Sequence, residues 1–350
     1  KRLYYDIASK SYKPVPRAEG TIVLSELPES SIIWKNKLAQ VRDLGDGILC
    51  VSWGGKMNVI GAEVIQALNK AIDLAEQGYK GLVVYNDGAL FSAGANVGMI
   101  FMMAVEQEYD DLDMAIRTFQ NTMMRMRHSS IPVVAAPHQL CLGGGTELCL
   151  HADKVVAHAE TYMGLVEVGV GLIPGGGGTK EFALRASDSF FEGDTQIPTL
   201  IEKLRTIATA AVATSAYEGY NHGYLLKTRD EVCLSTEKVL YEARAKVIAL
   251  SDHYTPPVPK EVTVLGRTGL ATLYTAINEF YLGKYMSEYD VEISRKVAYV
   301  LCGGDLTGQQ KVSEQYLLDI EREAFLALLG NQKTLDRIQY MLINNKPLRN

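Results

Sequence analysis

Two glutamates stand out in the sequence because each places a carboxyl group within an apolar stretch. Glu147 is followed by Leu148-Cys149-Leu150, and Glu167 lies between Val166 and Val168. Such a carboxylate lies either at the surface of a helix or in a buried site. Two carboxyl groups that share a buried pocket shift each other's pKa, which suits one to donate a proton and the other to accept one. The pair therefore predicts general acid–base chemistry.

Glycine-rich stretches accompany both glutamates. They are Phe91-Ser92-Ala93-Gly94-Ala95-Asn96, the run LGGGTEL at 142–148, and the run MGLVEVGVGLIPGGGGT at 163–179. The first two directly follow predicted strands, where open α/β sheets form their ligand crevices. The Gly143–Gly145 run also precedes a predicted helix, so its N–H groups would lie at the positive end of the helix dipole. This position suits the stabilisation of a developing oxyanion.

Other glycine motifs do not fit these stretches. A phosphate-binding loop requires GxxxxGK followed by Ser or Thr, but Lys180 comes after Thr179, and Gly55-Lys56 is followed by Met57. The segment 169–174 does not complete a dinucleotide-binding GxGxxG. The nucleophile elbow GxSxG is also missing, since Ser92 is flanked by Phe91 and Ala93.

Strands that alternate with helices predict an α/β fold with a largely parallel sheet. Apolar strands are predicted at 47–53, 81–85, 131–136 and 154–157, with amphipathic helices that carry Val64 to Ala75 and Leu112 to Met126. From about residue 180 the pattern is helical, with predicted segments at 201–212, 235–250, 269–282 and 316–329. Ser235 is a candidate N-cap, and Ser287 with Asp290 is a candidate capping pair.

Composition narrows the class of protein. The 350 residues are 47% hydrophobic and carry a net charge of −6, which argues against a nucleic-acid partner. No apolar run reaches the roughly 20 residues of a membrane span, so we expect a soluble protein. The odd number of scattered cysteines favours a reducing, cytoplasmic location. The five cysteines form no CxxC pair, which disfavours a zinc site or a disulfide framework. We interpret Cys149, His138 and His151 as structural residues near the glutamates.

The motifs FSAGAN, LGGGTEL and MGLVEVGVGLIPGGGGT resemble those of the enoyl-CoA hydratase/isomerase (crotonase) superfamily. The resemblance covers residues from about 45 to 225. It implies a spiral of repeated ββα units, followed by helices that this superfamily uses in trimer assembly, so a homo-oligomer is expected. The expected divisions are an N-terminal arm or linker at 1–45, a crotonase core at 46–225 and a helical C-terminal region at 226–350.

The same resemblance implies roles for individual residues. The N–H groups of Ala95 and Gly144 would form an oxyanion hole for a thioester carbonyl. Glu147 would activate water for attack at C3, and Glu167 would deliver a proton to C2. Asn96 departs from the aspartate common at its position, which puts local contacts in doubt. Further contacts with an acyl-CoA substrate are expected from Met57, Asn58, Ala93, Gly94, Gly143, Pro174 and Gly175.

The presence of both glutamates favours hydration of trans-2-enoyl-CoA in fatty-acid β-oxidation, a reaction that requires no metal or nicotinamide. A double-bond isomerase that uses Glu167 alone, and a non-catalytic acyl-CoA-binding module, are the alternatives. Both flanks of the chain resemble long bifunctional 3-hydroxyacyl-CoA dehydrogenase/enoyl-CoA hydratases, and the chain starts at Lys1 without Met. We therefore expect a fragment of a longer protein, with NAD needed only by a fused dehydrogenase portion.

Overall fold

Strands buried on both faces alternate with amphipathic helices through the first half of the chain. A computed structural model describes residues 3–16 and 19–350. Within these ranges the strands are β1 (Leu3–Asp6), β2 (Ser11–Pro14), β3 (Ile32–Lys35), β4 (Ala39–Asp43), β5 (Ile48–Trp53), β6 (Gly81–Val84), β7 (Val133–Ala135), β8 (Gln139–Leu142), β9 (Lys154–His158), β10 (Thr161–Gly164), β11 (Val212–Ala213), β12 (Glu231–Cys233), β13 (Glu261–Val264) and β14 (Gln310–Ser313).

The helices of the described residues become more frequent towards the C-terminus. They are α1 (Ala62–Glu76), α2 (Val97–Val105), α3 (Tyr109–Arg127), α4 (Gly144–His151), α5 (Gly178–Asp188), α6 (Ile197–Ala208), α7 (Ala216–Asn221), α8 (Val239–Ser251), α9 (Gly266–Leu282), α10 (Glu288–Leu301), α11 (Glu314–Leu329) and α12 (Gln332–Asn344). Short 3-10 helices at Leu24–Glu26, Glu29–Ser31, Lys56–Asn58, Glu167–Val170 and Thr236–Lys238 complete the set.

A seven-stranded sheet in the order β12-β9-β7-β6-β5-β4-β3 forms the centre of the fold. Neighbours from β12 to β5 are parallel, whereas β4 and β3 are antiparallel additions at one edge. All six residues of β5 are buried, as expected for a strand covered on both faces. Helix α1 packs on one face and α8 on the other, where Val247 lies against Gly81. The predicted α/β class and helical C-terminal region are confirmed.

The sheet begins earlier than residue 46, where the predicted core starts. Strands β3 and β4 lie in the segment expected to be an arm, yet β4 pairs with β5 along its whole length, from Ala39 with Trp53 to Asp43 with Leu49. Buried Ala39 and Val41 give β4 an inward face that the sequence analysis did not register. Residues 1, 2, 17 and 18 of the expected arm lie outside the described residues.

A second sheet, in the order β11-β10-β8, stands beside the main one. Strands β8 and β10 are parallel, with Leu142 opposite Gly164. The two strands therefore end together, and the glycine-rich segments that follow them emerge at the same edge. This edge brings the segments that carry Glu147 and Glu167 side by side.

Two predicted helix boundaries in the C-terminal half differ from those observed. Helix α6 starts at Ile197 rather than 201, with Pro198 in its first turn, and Val212–Ala213 is a strand. Ser235 makes no side-chain capping bond, because a 3-10 turn separates it from α8. The predicted pair at the start of α10 is confirmed as a reciprocal capping box between Ser287 and Asp290. Among the described residues, no helix has the length and apolar character of a bilayer span.

Candidate active site

Helix α4 carries Glu147 into the interior of the protein. Its N-cap, Gly143, has a φ of 51°, and its N–H donates to the Gly164 carbonyl at 2.8 Å. Glu147 is only 2% exposed. Its Oε1 atom accepts hydrogen bonds from the N–H groups of Gly176 at 2.8 Å and Gly178 at 2.9 Å. The carboxyl group is thus fixed by the glycine-rich turn that opens α5.

Glu167 is the first residue of the 3-10 helix that follows β10. Its Oε1 atom lies over Gly143, where an added Cβ would come within 2.9 Å of it. Although the residue as a whole is half-buried, its Oε2 atom is shielded from solvent and has no hydrogen-bond partner among the described residues. An unpaired buried carboxyl oxygen is costly unless something else binds it. This atom therefore marks a position where a reactant could bind.

Two main-chain N–H groups lie in adjoining segments beside the glutamates. A Cβ on Gly144 would lie 3.3 Å from the Ala95 nitrogen, so the two segments are in contact. Neither Ala95 nor Gly144 donates its N–H to an acceptor among the hydrogen bonds of the described residues. Gly144 belongs to the first turn of α4, where N–H groups lack an intrahelical acceptor. Free main-chain donors in adjoining segments are the groups that an oxyanion site requires.

The loop that presents Ala95 is held on both sides. Ser92 pairs with Cys141 in a parallel bridge, and the Ser92 hydroxyl donates to the Asn58 carbonyl at 2.8 Å. On the other side, the Ala93 N–H donates to the Met57 carbonyl at 3.0 Å. These contacts fix the main chain around Ala95 before any ligand binds, which is the condition for effective stabilisation of an oxyanion.

Phe119 on α3 lies against both glycine segments. A Cβ on Gly144 would be 3.1 Å from its Cζ atom, and one on Gly176 would be 2.0 Å from its Cε1 atom. The ring is half-buried. The absence of side chains at the two glycines therefore makes room for an aromatic wall beside the carboxyl groups. The sequence analysis placed this residue only within the amphipathic helix predicted to carry Leu112 to Met126.

Burial raises the pKa values of both glutamates. The pKa of Glu147 rises to about 7, because burial outweighs the two amide N–H groups that favour its ionised form. The pKa of Glu167 rises well above its ordinary value through burial first and the charge of Glu147 second. The two groups are therefore poised unequally: Glu147 ionises near neutral pH while Glu167 keeps its proton.

Most of the residues expected to contact substrate lie beside the free N–H groups or beside the turn that binds Glu147. Ala93, Gly94 and Gly143 adjoin the free N–H groups, and the buried residues Pro174 and Gly175 lead into the turn that binds Glu147. Asn58 is committed within the fold, since its side-chain amide donates to the Leu90 carbonyl. Met57 is 43% exposed and lies at the outer margin of the site. Its φ of 57° helps to turn the chain there.

Neighbouring residues have contacts of a structural kind. His151 is fully buried and its Nδ1 atom lies 2.7 Å from the Glu147 carbonyl oxygen. The Nε2 atom of His138 lies 3.2 Å from the Gly88 carbonyl oxygen. Cys149 is buried, and burial raises its pKa so that it stays a thiol. Asn96 caps α2 by accepting the Met99 N–H, so the departure from aspartate still provides a capping oxygen.

A third buried carboxyl group, Glu321 on α11, was missed by the sequence analysis. It accepts the Gly177 N–H at 2.7 Å and the Lys180 N–H at 2.9 Å. A signal was present, because Glu321 lies one turn after Leu317 and one turn before Phe325 on the apolar face of the helix. The sequence analysis predicted the helix at 316–329 but did not single out this residue.

Comparison with known proteins identifies proteins that are similar to this chain in sequence or in fold. Residues 54–193 match the family model described as enoyl-CoA hydratase/isomerase. A Bacillus subtilis protein named "Probable 3-hydroxyacyl-CoA dehydrogenase" is 42% identical over 349 residues, which are 99% of this chain and 44% of that protein. The chain thus spans less than half the length of this relative.

Two further proteins share part of the sequence or the fold. The "Fatty acid oxidation complex subunit alpha" of Shewanella amazonensis is 34% identical over 145 residues, or 40% of this chain and 20% of that protein. The crystal structure of an enoyl-CoA hydratase from Bacillus halodurans superposes with a TM-score of 0.57 and 15% identity, covering 87% of this chain and 99% of that one. At this identity the superposition shows a shared fold.

Proposed function

We propose that this chain, whose residues 54–193 match the model of the enoyl-CoA hydratase/isomerase family, adds water to trans-2-enoyl-CoA thioesters in fatty-acid β-oxidation. The observation that carries the proposal is the unequal pair of buried carboxyl groups beside two free N–H groups. One group can accept a proton near neutral pH, the other can donate one, and the free donors can bind an oxygen that gains charge.

The N–H groups of Ala95 and Gly144 bind the thioester oxygen in this mechanism. Their hydrogen bonds strengthen as the oxygen becomes enolate-like, and loss of one such donor typically reduces kcat by about 10²–10³-fold. Binding also polarises the conjugated double bond, so that C3 becomes electrophilic. The donors are main-chain atoms, which side-chain substitutions cannot remove without altering the loop.

Water attacks C3 with Glu147 as the general base. The Oε1 atom of Glu147 is held by two N–H groups, which leaves Oε2 for the water. The water oxygen forms a bond to C3 while one of its protons passes to Glu147. Glu167 then delivers a proton to C2, and the product is a 3-hydroxyacyl-CoA. Each step of general acid–base catalysis contributes about 10²–10⁴-fold to the rate.

An isomerase that shifts the double bond is the second candidate. It is favoured by the contrast between Glu167, which has an unpaired oxygen, and Glu147, which has one oxygen already bound by the turn. In that reaction Glu167 alone would move a proton between carbons, and Glu147 would serve only to raise its pKa. Addition of water distinguishes the two reactions, because isomerisation leaves the mass of the thioester unchanged.

Turnover of purified protein with crotonyl-CoA and a longer 2-enoyl-CoA tests the proposal. Loss of the absorbance of the conjugated thioester and a product heavier by one water are expected. We expect Glu147→Gln and Glu167→Gln each to reduce kcat by about 10²–10⁴-fold. Glu160→Gln, which changes an exposed glutamate between the two, is the matched control and should keep full activity.

Three results would contradict hydration. Activity that survives both glutamine substitutions would remove the carboxyl groups from the mechanism. Conversion of a 3-enoyl-CoA to an isomer without water addition would favour the isomerase. Binding of CoA thioesters without any turnover would favour a non-catalytic module.

We further propose that the chain works within a longer protein that also oxidises the hydration product. Support comes from the Bacillus subtilis relative, whose name denotes a 3-hydroxyacyl-CoA dehydrogenase and of which this chain spans 44%. A 3-hydroxyacyl-CoA is both the product of hydration and the substrate class of such a dehydrogenase. NAD would be bound by that second portion, and hydration itself would proceed without it.

A further inference from the structure

The turn at Gly176–Lys180 is held by two carboxyl groups from opposite sides. Glu147 accepts the N–H groups of Gly176 and Gly178, and Glu321 accepts those of Gly177 and Lys180. The acceptors thus alternate along the turn. Displacement of either carboxyl group would leave two buried N–H groups without acceptors, a loss that costs more than the hydrogen bonds themselves contribute.

Contacts made by α11 and α3 hold Glu321 against this turn. Phe325, one helical turn later, packs on Gly175, where an added Cβ would lie 2.6 Å from its Cδ2 atom. From α3, the Gln120 side chain donates to the Glu321 Oε1 atom at 3.3 Å and to the Leu318 carbonyl at 3.0 Å. Glu321 is fully buried, and each of its polar contacts is a donor that an ionised carboxylate can satisfy.

We propose that Glu321 is a positioning residue of the active site, which holds the turn that fixes Glu147 and, once ionised at alkaline pH, supplies a negative charge that favours the protonated form of Glu167. This inference rests on the proposed hydration, because it assigns Glu167 the role of acid. Glu321 acts through the turn and through its charge, and it is assigned no contact with the substrate.

The charges around Glu321 favour this role. Glu147 on α4 binds the same turn, Glu167 on the 3-10 helix lies beside Gly143 at the start of α4, and Lys180 on α5 donates its N–H to Glu321. The Lys180 ammonium group is engaged by Glu181 and Glu314 at 2.6 and 3.0 Å. Burial, followed by the charge of Glu147, raises the pKa of Glu321 to about 8, and the charge of Glu321 in turn raises the pKa of Glu167.

Glu321→Gln removes the charge with little change of shape. The new amide nitrogen must face a main-chain N–H, so the turn loses one of its acceptors. We expect kcat to fall by about 10²-fold, the loss typical of a small displacement of catalytic groups, with little change in KM. The alkaline limb of the pH–rate profile should also move to lower pH, because removing a nearby negative charge lowers the pKa of Glu167.

Glu323→Gln on the same helix is the matched control, since Glu323 is exposed. It should leave kcat and the pH profile unchanged. An unshifted alkaline limb in folded Glu321→Gln protein, or a limb displaced to higher pH, overturns the proposal even if kcat falls. A merely structural role would lower activity and leave the limb in place.

Carboxyl ¹³C NMR titration separates failure of this inference from failure of the proposed function. If wild-type protein hydrates no enoyl-CoA, the proposed function fails, yet the Glu167 resonance should still titrate at lower pH in Glu321→Gln. If that variant does not fold, the reciprocal measurement uses Glu147→Gln, in which the Glu321 resonance should titrate at lower pH than in wild type. An unshifted resonance in the informative variant overturns the charge coupling.

Discussion

At the scale of single residues, the two candidate catalytic glutamates differ in what binds their oxygens. Glu147 has one oxygen held by two N–H groups, and Glu167 has one buried oxygen with no partner among the described residues. Hydrogen bonds to the charged form offset part of the effect of burial. The difference explains why Glu147 ionises at lower pH than Glu167, although both are buried carboxyl groups with the same intrinsic chemistry.

This difference predicts a bell-shaped pH dependence of kcat/KM for hydration. Activity should rise with pH through an apparent pKa of about 7, as Glu147 becomes the ionised base. It should fall at higher pH as Glu167 loses its proton. Steady-state rates from pH 5 to 10 measure the profile. An acidic limb that persists in the residual activity of Glu147→Gln would assign that limb to another group.

The unfolding free energy of the protein should also depend on the protonation of Glu147. The pKa of Glu147 is raised in the folded state from its ordinary 4.5 to about 7, so its contribution is complete below pH 4.5 and is lost as pH rises through 7. Glu147→Gln removes this dependence. When the pH is raised from 4.5 to 8, wild type should therefore lose about 3 kcal/mol of unfolding free energy that the variant keeps.

Urea unfolding at both pH values measures this difference for wild type, Glu147→Gln and the exposed control Glu160→Gln. The control should follow the wild-type dependence on pH. If the unfolding free energies of wild type and Glu147→Gln changed equally with pH, Glu147 would bind its proton no more tightly in the folded state than in the unfolded chain.

At the scale of elements, the site is built where β8 and β10 end side by side and the segments after them start α4 and a 3-10 helix. Glycine is required at the closest approaches. A Cβ on Gly176 would lie 2.0 Å from Phe119 Cε1 and 2.7 Å from Glu147 Oε2, closer than real Cβ atoms come to other atoms. The turn and α3 can pack together only because this position has no side chain.

Gly176→Ala should therefore displace either the Phe119 ring or the Glu147 carboxyl group. We expect kcat to fall by about 10²-fold, because a displacement of about 1 Å has that effect on catalytic groups. Gly169→Ala is the control, since nothing lies within 4 Å of its added Cβ. Kinetics with crotonyl-CoA give the comparison, and equal activities would contradict the packing described here.

The sequence predicted these elements to different degrees. Strands and helices around the glutamates carry a clear apolar periodicity, and α3 and α11 were placed to within a few residues. Strands β3 and β4 were missed because they are short, and because Pro28 and several polar residues lie close to them in the sequence. The contact of Glu321 with Gly177 spans 144 residues, and no local pattern encodes a pairing over that distance.

At the scale of the whole molecule, the helical C-terminal half packs against the segment that carries Glu167 at the candidate site. On α12, the Thr334 hydroxyl donates to the Gly171 carbonyl at 2.7 Å, and Arg337 donates to the Val168 carbonyl at 3.3 Å. Both acceptors belong to the segment that starts at Glu167. Arg337 is fully buried and also pairs with Asp290 at 2.8 Å, so α10 and α12 meet at this segment.

Two arginines on one carboxylate provide a test of this support. Arg337 and Arg349 both contact the Asp290 Oδ1 atom, but the Arg349 side chain is 49% exposed. Arg337→Met should destabilise the fold by about 3–5 kcal/mol, because the buried Asp290 loses its buried partner. Arg349→Met should cost at most about 1 kcal/mol. Urea unfolding measures both, and similar losses would show that burial does not distinguish the pairs.

The hydrogen bonds from Thr334 and Arg337 have a consequence for biosynthesis. They reach back 163 and 169 residues to the segment that carries Glu167. A ribosome will have translated both glutamates and the glycine turns long before it makes α12. During that interval the nascent chain contains every candidate catalytic group, but the segment of Glu167 still lacks the hydrogen bonds from α12. Activity should therefore emerge only after α12 has been synthesised and has docked on this segment.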